Sequence, residues 1–230
     1  MVEKKIHLST VTDQSFGENA YIVWVRDEGP CWIVDPGLAP TPSRIVAHIN
    51  KHKLKPEALI LTHGHLDHIA GVPEIMDAFP TLPIHIAAAA KPALTDPGEN
   101  LSQAYGAPLV IGDYDTVDLP EGATLELDGI AWKALDTSGH APGSRSLYCE
   151  KAGIVIVGDA LFAGSVGRMD FHHSNGRDLI QNIREKLLTL PDATVVHSGH
   201  GPVTTIGRER TTNPYVGENA NELDFDDEMS

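Results

Sequence analysis

The chain predicts a mixed α/β fold in which sheets are covered by helices. Short, buried, strand-like runs recur along it, among them "AYIVWV", "CWIVD", "EALILTH", "GIVIVGD" and "ATVVHSGHG". Two segments, 41–52 and 176–190, carry apolar residues at helical spacing. Strands and helices are mixed, but the strands largely come in runs, which argues against a helix bundle and against an all-β sandwich. A chain of 230 residues can bury the core of one such domain, or of two small ones.

The elements follow in order. Residues 20–25 and 31–35 read as paired strands joined by a charged turn that contains Gly29 and Pro30. "DPG" then breaks the run. The spacing predicts a helix over 41–52: Thr41 can cap it, Pro42 suits its first position, and Ile45 and Ile49 share a face. Residues 57–63 read as a short buried strand ending at a histidine cluster. Pro73 opens a short helix over about 73–79. "PIHIAA" starts a strand that runs into an alanine-rich helix near 87–94. The stretch 96–116 is rich in Gly, Pro and Asp and reads as a surface loop. Several strands follow between 117 and 157. The helix over 176–190 places Leu179, Ile183, Leu187 and Leu190 on one face, and 193–201 is one more strand ending in a loop.

There is an internal echo. "CWIVDPG" is like "IVIVGDA", and "ALILTHGH" is like "ATVVHSGH". Two similar halves would bring both sets of strand ends to one edge. The last stretch, 217–230, carries six acids and no base and reads as a solvated tail.

The formal net charge is −15, which repels nucleic-acid phosphates and argues against a nucleic-acid partner. An anionic substrate would need a local positive site, and a bound metal can supply one. "MVEKKIHLST" has no apolar signal-like core, and no run approaches the ~20 apolar residues of a membrane helix. The expectation is a cytoplasmic protein with no membrane partner. Cys31 and Cys149 sit in apolar runs and are expected to be free buried thiols.

Twelve histidines point toward metal chemistry. "THGHLDH" places His63, His65, Asp67 and His68 within six positions. Alternate side chains of an extended chain share a face, so His63 and His65 can grip one ion. His68 follows Asp67 directly and points elsewhere unless the chain turns, which suits two adjacent ions better than one. A catalytic zinc takes about three protein ligands and a water, and a metal pair wants bridging groups. Four residues do not complete two such sites, so other strand-end loops must contribute. Three glycine-containing loops offer His140 in "DTSGHAPGS", Asp159 in "VIVGDALF" and His200 in "VVHSGHGP". Asp159 lies just past a buried strand, where an uncompensated carboxylate is costly. These seven nitrogen and oxygen ligands suit a pair of divalent ions such as zinc, iron or manganese.

This pattern resembles the metallo-β-lactamase superfamily from about residue 8 to 215. "TSGHAPGS", "GDALFAGSVGRMDF" and "HSGHGPVTTIGRERTTNPYV" are similar to the short, single-domain glyoxalase II-like (hydroxyacylglutathione hydrolase-like) hydrolases. The resemblance implies a four-layer αβ/βα sandwich over residues 1–216. It implies one metal site of His63, His65 and His140, a second of Asp67, His68 and His200, and Asp159 bridging both. Asp35 of "VDPG" would be a supporting carboxylate that holds the ligand loops. Asp67 would also orient the nucleophile, a metal-bridging hydroxide. The implied reaction is hydrolysis of a small-molecule thioester, S-lactoylglutathione to lactate and glutathione, whose thiolate leaves without strong protonation. Arg168 in "GSVGRMD" would contact the glycine carboxylate of glutathione.

Two departures from glyoxalase II are expected. There is no long C-terminal helical extension, and "RMDFHHSNGR" carries His172 and His173, to which the resemblance gives no ligand role. His7, His48, His52, His85 and His197 read as structural or surface residues. The competing readings are a mononuclear iron persulfide dioxygenase and a lactonase of the same superfamily. A nuclease is disfavoured by the charge and by the absence of a basic patch.

Overall fold

The computed structural model describes residues 5–220, so the expected acidic tail lies outside the described residues from position 221 onward. The chain begins with β1 (His7–Thr12), β2 (Asn19–Trp24) and β3 (Pro30–Val34), followed by α1 (Thr41–His52) and β4 (Lys55–Ile60). The helices α2 (Leu66–Ile69) and α3 (Val72–Ala78) lead to β5 (Ile84–Ile86) and β6 (Thr116–Asp118). Then come β7 (Thr124–Leu127), β8 (Ile130–Asp136), β9 (Arg145–Cys149) and β10 (Ile154–Gly158), with a small hairpin of β11 (Leu161–Phe162) and β12 (Ser165–Val166). The chain continues through α4 (Gly176–Asn182), β13 (Val195–Ser198), β14 (Thr204–Thr205) and α5 (Ile206–Thr212). One six-stranded sheet runs β1-β2-β3-β4-β5-β6, and the other runs β14-β13-β10-β9-β8-β7.

Strand β2 shows why the layers stack. It is buried along its whole length, so both of its faces must be covered. Ala20, Ile22 and Trp24 pack with Ile45 and Ile49 of α1 and Val72 and Ile75 of α3. Tyr21 and Val23 point the other way, onto Leu127, Trp132 and Leu147 of the second sheet. Trp32 and Trp132 meet edge to face between the sheets, with ring centroids 5.7 Å apart. The far face of the second sheet, with Leu135, Val155 and Val157, is covered by Leu179, Ile183, Leu187 and Ile206. Three apolar cores thus separate four layers, helix, sheet, sheet and helix, as the family resemblance implies. Each fully buried Leu, Ile or Val contributes about 1.5–3 kcal/mol relative to exposure.

The internal echo has a structural counterpart. β3 is antiparallel to β2 and parallel to β4. β10 is antiparallel to β9 and parallel to β13. "CWIVDPG" and "IVIVGDA" are therefore equivalent strands, as are "ALILTHGH" and "ATVVHSGH".

Several local expectations change. The alanine-rich segment is not a helix from 87 to 94. Only Lys91–Leu94 coils, as a 3₁₀ turn in which Ala93 N donates to Ala90 O at 3.2 Å. Pro92 lacks the N–H that would continue an α-helical ladder. The stretch 96–116 is a loop, as expected, and is exposed over 103–108, but it is anchored from inside, because Asn100 and Ser102 are fully buried. The Asn100 amide donates to Ala93 O and Leu109 O, both at 2.9 Å. The helix predicted over 176–190 continues α4 through a π-helical stretch, Ile183–Leu187, closed by Leu188 N donating to Ile183 O at 2.9 Å. That wider turn keeps Leu179, Ile183 and Leu187 buried. Cys31 and Cys149 are buried and unpaired, in different cores. Among the described residues, no helix is long and apolar enough to cross a membrane.

Candidate metal centre

The site begins where β3 and β4 end side by side. Asp35 adopts a left-handed backbone conformation, φ +49°, which turns its carboxylate toward the end of β4. Its Oδ1 accepts from Thr62 N at 2.8 Å, and its Oδ2 accepts from Thr62 Oγ1 at 2.6 Å and from His68 Nδ1 at 3.0 Å. Thr62 has spent its one proton on Asp35, so its oxygen accepts from His63 Nδ1 at 3.1 Å. His140 Nδ1 donates to the Arg168 carbonyl at 2.9 Å. Each bond selects a tautomer, with the proton on Nδ1 and the lone pair on Nε2.

Those lone pairs converge. His63 Nε2, His68 Nε2, His140 Nε2 and Asp159 Oδ1 are all buried and without a hydrogen-bond partner. Buried polar atoms are normally paired, and leaving one unpaired costs about 1–3 kcal/mol. Four acceptor atoms facing one another fit a cation.

The chain turns straight after His65 into α2, and this sorts the cluster. The ligand atoms of His63, His65 and His140 lie within 4.8 Å of one another, and so do those of Asp67, His68 and His200. Asp159 stands between the two trios. Its Oδ2 is 3.5 Å from His140 Nε2 and 3.4 Å from His200 Nε2, and its Oδ1 is 3.4 Å from His68 Nε2. The seven ligand-type residues singled out in the sequence are thus brought to one place. Asp35 is also close to His63 and His68, but three donors already occupy its oxygens.

β2 holds the His200 loop from the other side. Asn19 N donates to Gly199 O at 2.7 Å, the Asn19 amide donates to Ser198 O and Gly201 O, and the Tyr21 hydroxyl donates to Ser198 O at 2.6 Å. Gly199 must be glycine for space, since a Cβ there would overlap Asp159 Oδ1 and press on His68.

The sequence pattern of the metallo-beta-lactamase superfamily matches residues 15–200. This chain belongs to that superfamily. The membership points to a metal-dependent hydrolase, and the His/Asp trios fit divalent metal binding. The chain is 36% identical over 204 residues to the probable metallo-hydrolase YqgX of Bacillus subtilis, covering 86% of this chain and 92% of that protein. It is 32% identical over 212 residues to hydroxyacylglutathione hydrolase GloC of Haemophilus influenzae, covering 92% and 98%. The B3 metallo-beta-lactamase BLEG-1 superposes with a TM-score of 0.84 at 32% identity, covering 91% of this chain and 99% of that one. TTHA1623 in a di-iron-bound form superposes at 0.78 with 34% identity, covering 90% and 99%.

Burial and the neighbouring charges move the ionisable groups of this site in opposite directions. Burial pushes the pKa values of His63, His65 and His140 down, and neighbouring imidazoles add to this for His63 and His65. Burial also opposes charge on His68, but the Asp159 and Asp67 carboxylates outweigh it and hold its pKa well above the ordinary value. Burial opposes charge on His200 as well, but the hydrogen bonds it donates to Asp159 and Asp67 outweigh this and push its pKa up to about 9. Burial raises Asp159, yet His68 and His200 hold it well below the usual carboxylate range.

A cavity of about 260 Å³ opens onto both trios. Phe16, Tyr105, Phe162 and Phe171 form its aromatic rim, to which the sequence pattern assigns no role. Arg168 lines it too, but its side chain is 61% exposed and its guanidinium is held bidentately by Asp170 at 2.9 and 2.7 Å. It also covers the Phe171 ring at 4.3 Å. Two further residues come from outside the sequence motifs. Glu18 is fully buried behind His68, and burial keeps its carboxyl well above the usual range. His173, left without a role by the sequence, places its Nε2 2.9 Å from Nε2 of His65.

Proposed function

We propose that this chain is a dinuclear thioester hydrolase of glyoxalase II type, acting on S-lactoylglutathione or a related acyl thiol. The observation that carries the reading is Asp159, with one oxygen toward His68 and the other toward both His140 and His200. Two divalent ions bound there, one per trio, would supply an acidified water and a Lewis acid for the acyl oxygen. The protein's own part is to hold and orient. Asp35 and Thr62 aim His68 and His63, and the Arg168 carbonyl aims His140. Asp67, which lies 3.1 Å from His200 and faces the cavity, orients the nucleophile. The aromatic rim excludes water from the acyl group. Arg168 at the cavity edge reads a substrate carboxylate by exchanging Asp170 for it. A thiolate leaves without strong protonation, so the step needs no separate general acid.

The similarity to a hydroxyacylglutathione hydrolase over 92% of the chain supports the substrate class. The di-iron form of TTHA1623 supports a metal pair and keeps iron beside zinc and manganese as an occupant. The test is metal analysis of the purified protein together with an S-lactoylglutathione assay. Two ions per chain with thioester turnover are expected. One iron per chain with oxygen uptake on glutathione persulfide would overturn the reading, and lactone turnover without thioester turnover would replace it.

A further inference from the structure

His172 and His173 lie on the loop before α4, and no step above uses them. The His173 side chain is only 7% exposed. Its two ring nitrogens serve different neighbours. Nε2 meets His65 Nε2 at 2.9 Å, with the rings stacked at 29°. Nδ1 lies 3.3 Å from His172 Nε2 and 4.0 Å from Glu99 Oε2. Glu99 comes from the anchored stretch 96–116. The three ligand atoms of Glu99, His172 and His173 lie within 4.8 Å of one another. Ligand atoms held about 2.0–2.2 Å from a zinc-like ion stand roughly 3–3.5 Å apart, so only a small closure is needed. Two imidazoles and a carboxylate suit a borderline divalent ion.

We propose that Glu99, His172 and His173 form a third cation site, for a zinc-like divalent ion, coupled to the metal centre through His173 and His65. The coupling rests on the reading of His63, His65 and His140 as a metal trio. One proton lies between the two Nε2 atoms. While His65 gives Nδ1 to its trio, that proton is its own Nε2–H, and His173 accepts it and carries its own proton on Nδ1. An ion on His173 Nδ1 requires that second proton to move to Nε2. Two N–H groups would then face each other at 2.9 Å. Cation binding at the outer site therefore opposes metal held through His65, and the site is inhibitory.

The test is zinc titration of the full-length, metal-loaded protein and of the H172A/E99Q variant, with bound zinc and thioester turnover both measured. Both positions are partly or fully exposed and lie outside the two trios, so the variant keeps the basal rate. The wild type is expected to take up one more zinc per chain than the variant. Excess zinc should inhibit the wild type at a concentration about tenfold or more below that needed for the variant, the scale of a lost metal-supporting contact. Equal zinc uptake by the two proteins overturns the site. Unequal uptake with equal inhibition overturns the coupling. A His63→Ala variant separates the two readings, since failure of the trio would leave its zinc content unchanged whatever H172A/E99Q does.

Discussion

Replacing Asp35 with asparagine tests how the centre is oriented without changing its volume. Asparagine tolerates the left-handed conformation that Asp35 adopts, φ +49°, so the backbone is not strained. Its carbonyl oxygen must stay on Thr62 N, because that backbone donor cannot turn away. The new NH₂ then faces two donors, Thr62 Oγ1 and His68 Nδ1. The neutral His68 that an ion requires then carries its proton not on Nδ1 but on Nε2. That is the atom 3.4 Å from Asp159 and 3.9 Å from Asp67, and it loses its lone pair. A hydrogen bond to a charged group is worth about 1.5–3 kcal/mol, and 1.4 kcal/mol is tenfold in affinity. The trio of Asp67, His68 and His200 should therefore bind its ion about 10- to 150-fold more weakly. Calorimetric titration of zinc into metal-free protein measures this. One binding step should weaken and the other should stay nearly unchanged, with the thermal melt still cooperative. Equal affinities for both steps in Asp35→Asn and wild type would refute the tautomer argument.

Asp159→Ala should abolish hydrolysis while the chain remains folded by circular dichroism, and unchanged turnover would remove Asp159 from its place between the trios. Arg168→Ala should raise the KM for a glutathione thioester more than it lowers kcat; an equal effect on thioesters without a carboxylate would show that Arg168 does not read one. Gly199→Ala should lose bound metal and activity together, because the added methyl overlaps Asp159 Oδ1, and a fully loaded variant would count against that packing. Metal affinity should rise with pH. His200, pushed up to about 9 in the metal-free protein, carries a proton below that pH, and an ion must displace it. His68, held well above its ordinary value in the same trio, gives up a second proton, so the affinity should rise by up to about a hundredfold per pH unit, and a flat affinity between pH 6 and 8 would contradict the assignment.

The seven ligand-type residues were legible because each sits where a buried strand ends in a short turn, a place where polar side chains need a reason. The layers were legible for a related cause: strands buried on both faces, such as β2 and β10, read as continuous apolar runs. β1, β14 and α5 left no such mark, being short or largely polar. The contacts that complete the site depend on tertiary approach. Tyr105 reaches the cavity and Glu99 reaches His173 from a stretch that Asn100 anchors from inside, and composition alone marks that stretch as loop. Likewise, "HHSN" does not announce that His173 will stack on His65, 108 positions away.

The division of "THGHLDH" between two trios follows from the same geometry that repeats in the two halves. In each half a strand ends beside its parallel neighbour, so the loops that follow share one edge. His63 and His65 leave β4 while the chain is still extended, and they meet His140 from the β8–β9 loop. α2 then reverses the direction, and Asp67 and His68 meet His200 from the end of β13. Asp35, Thr62, Asn19 and Tyr21 fix this alignment with hydrogen bonds from the sheets. In the metal-free protein, protons on His68 and His200 answer the carboxylates of Asp67 and Asp159. Divalent ions held by the trios would displace those two protons.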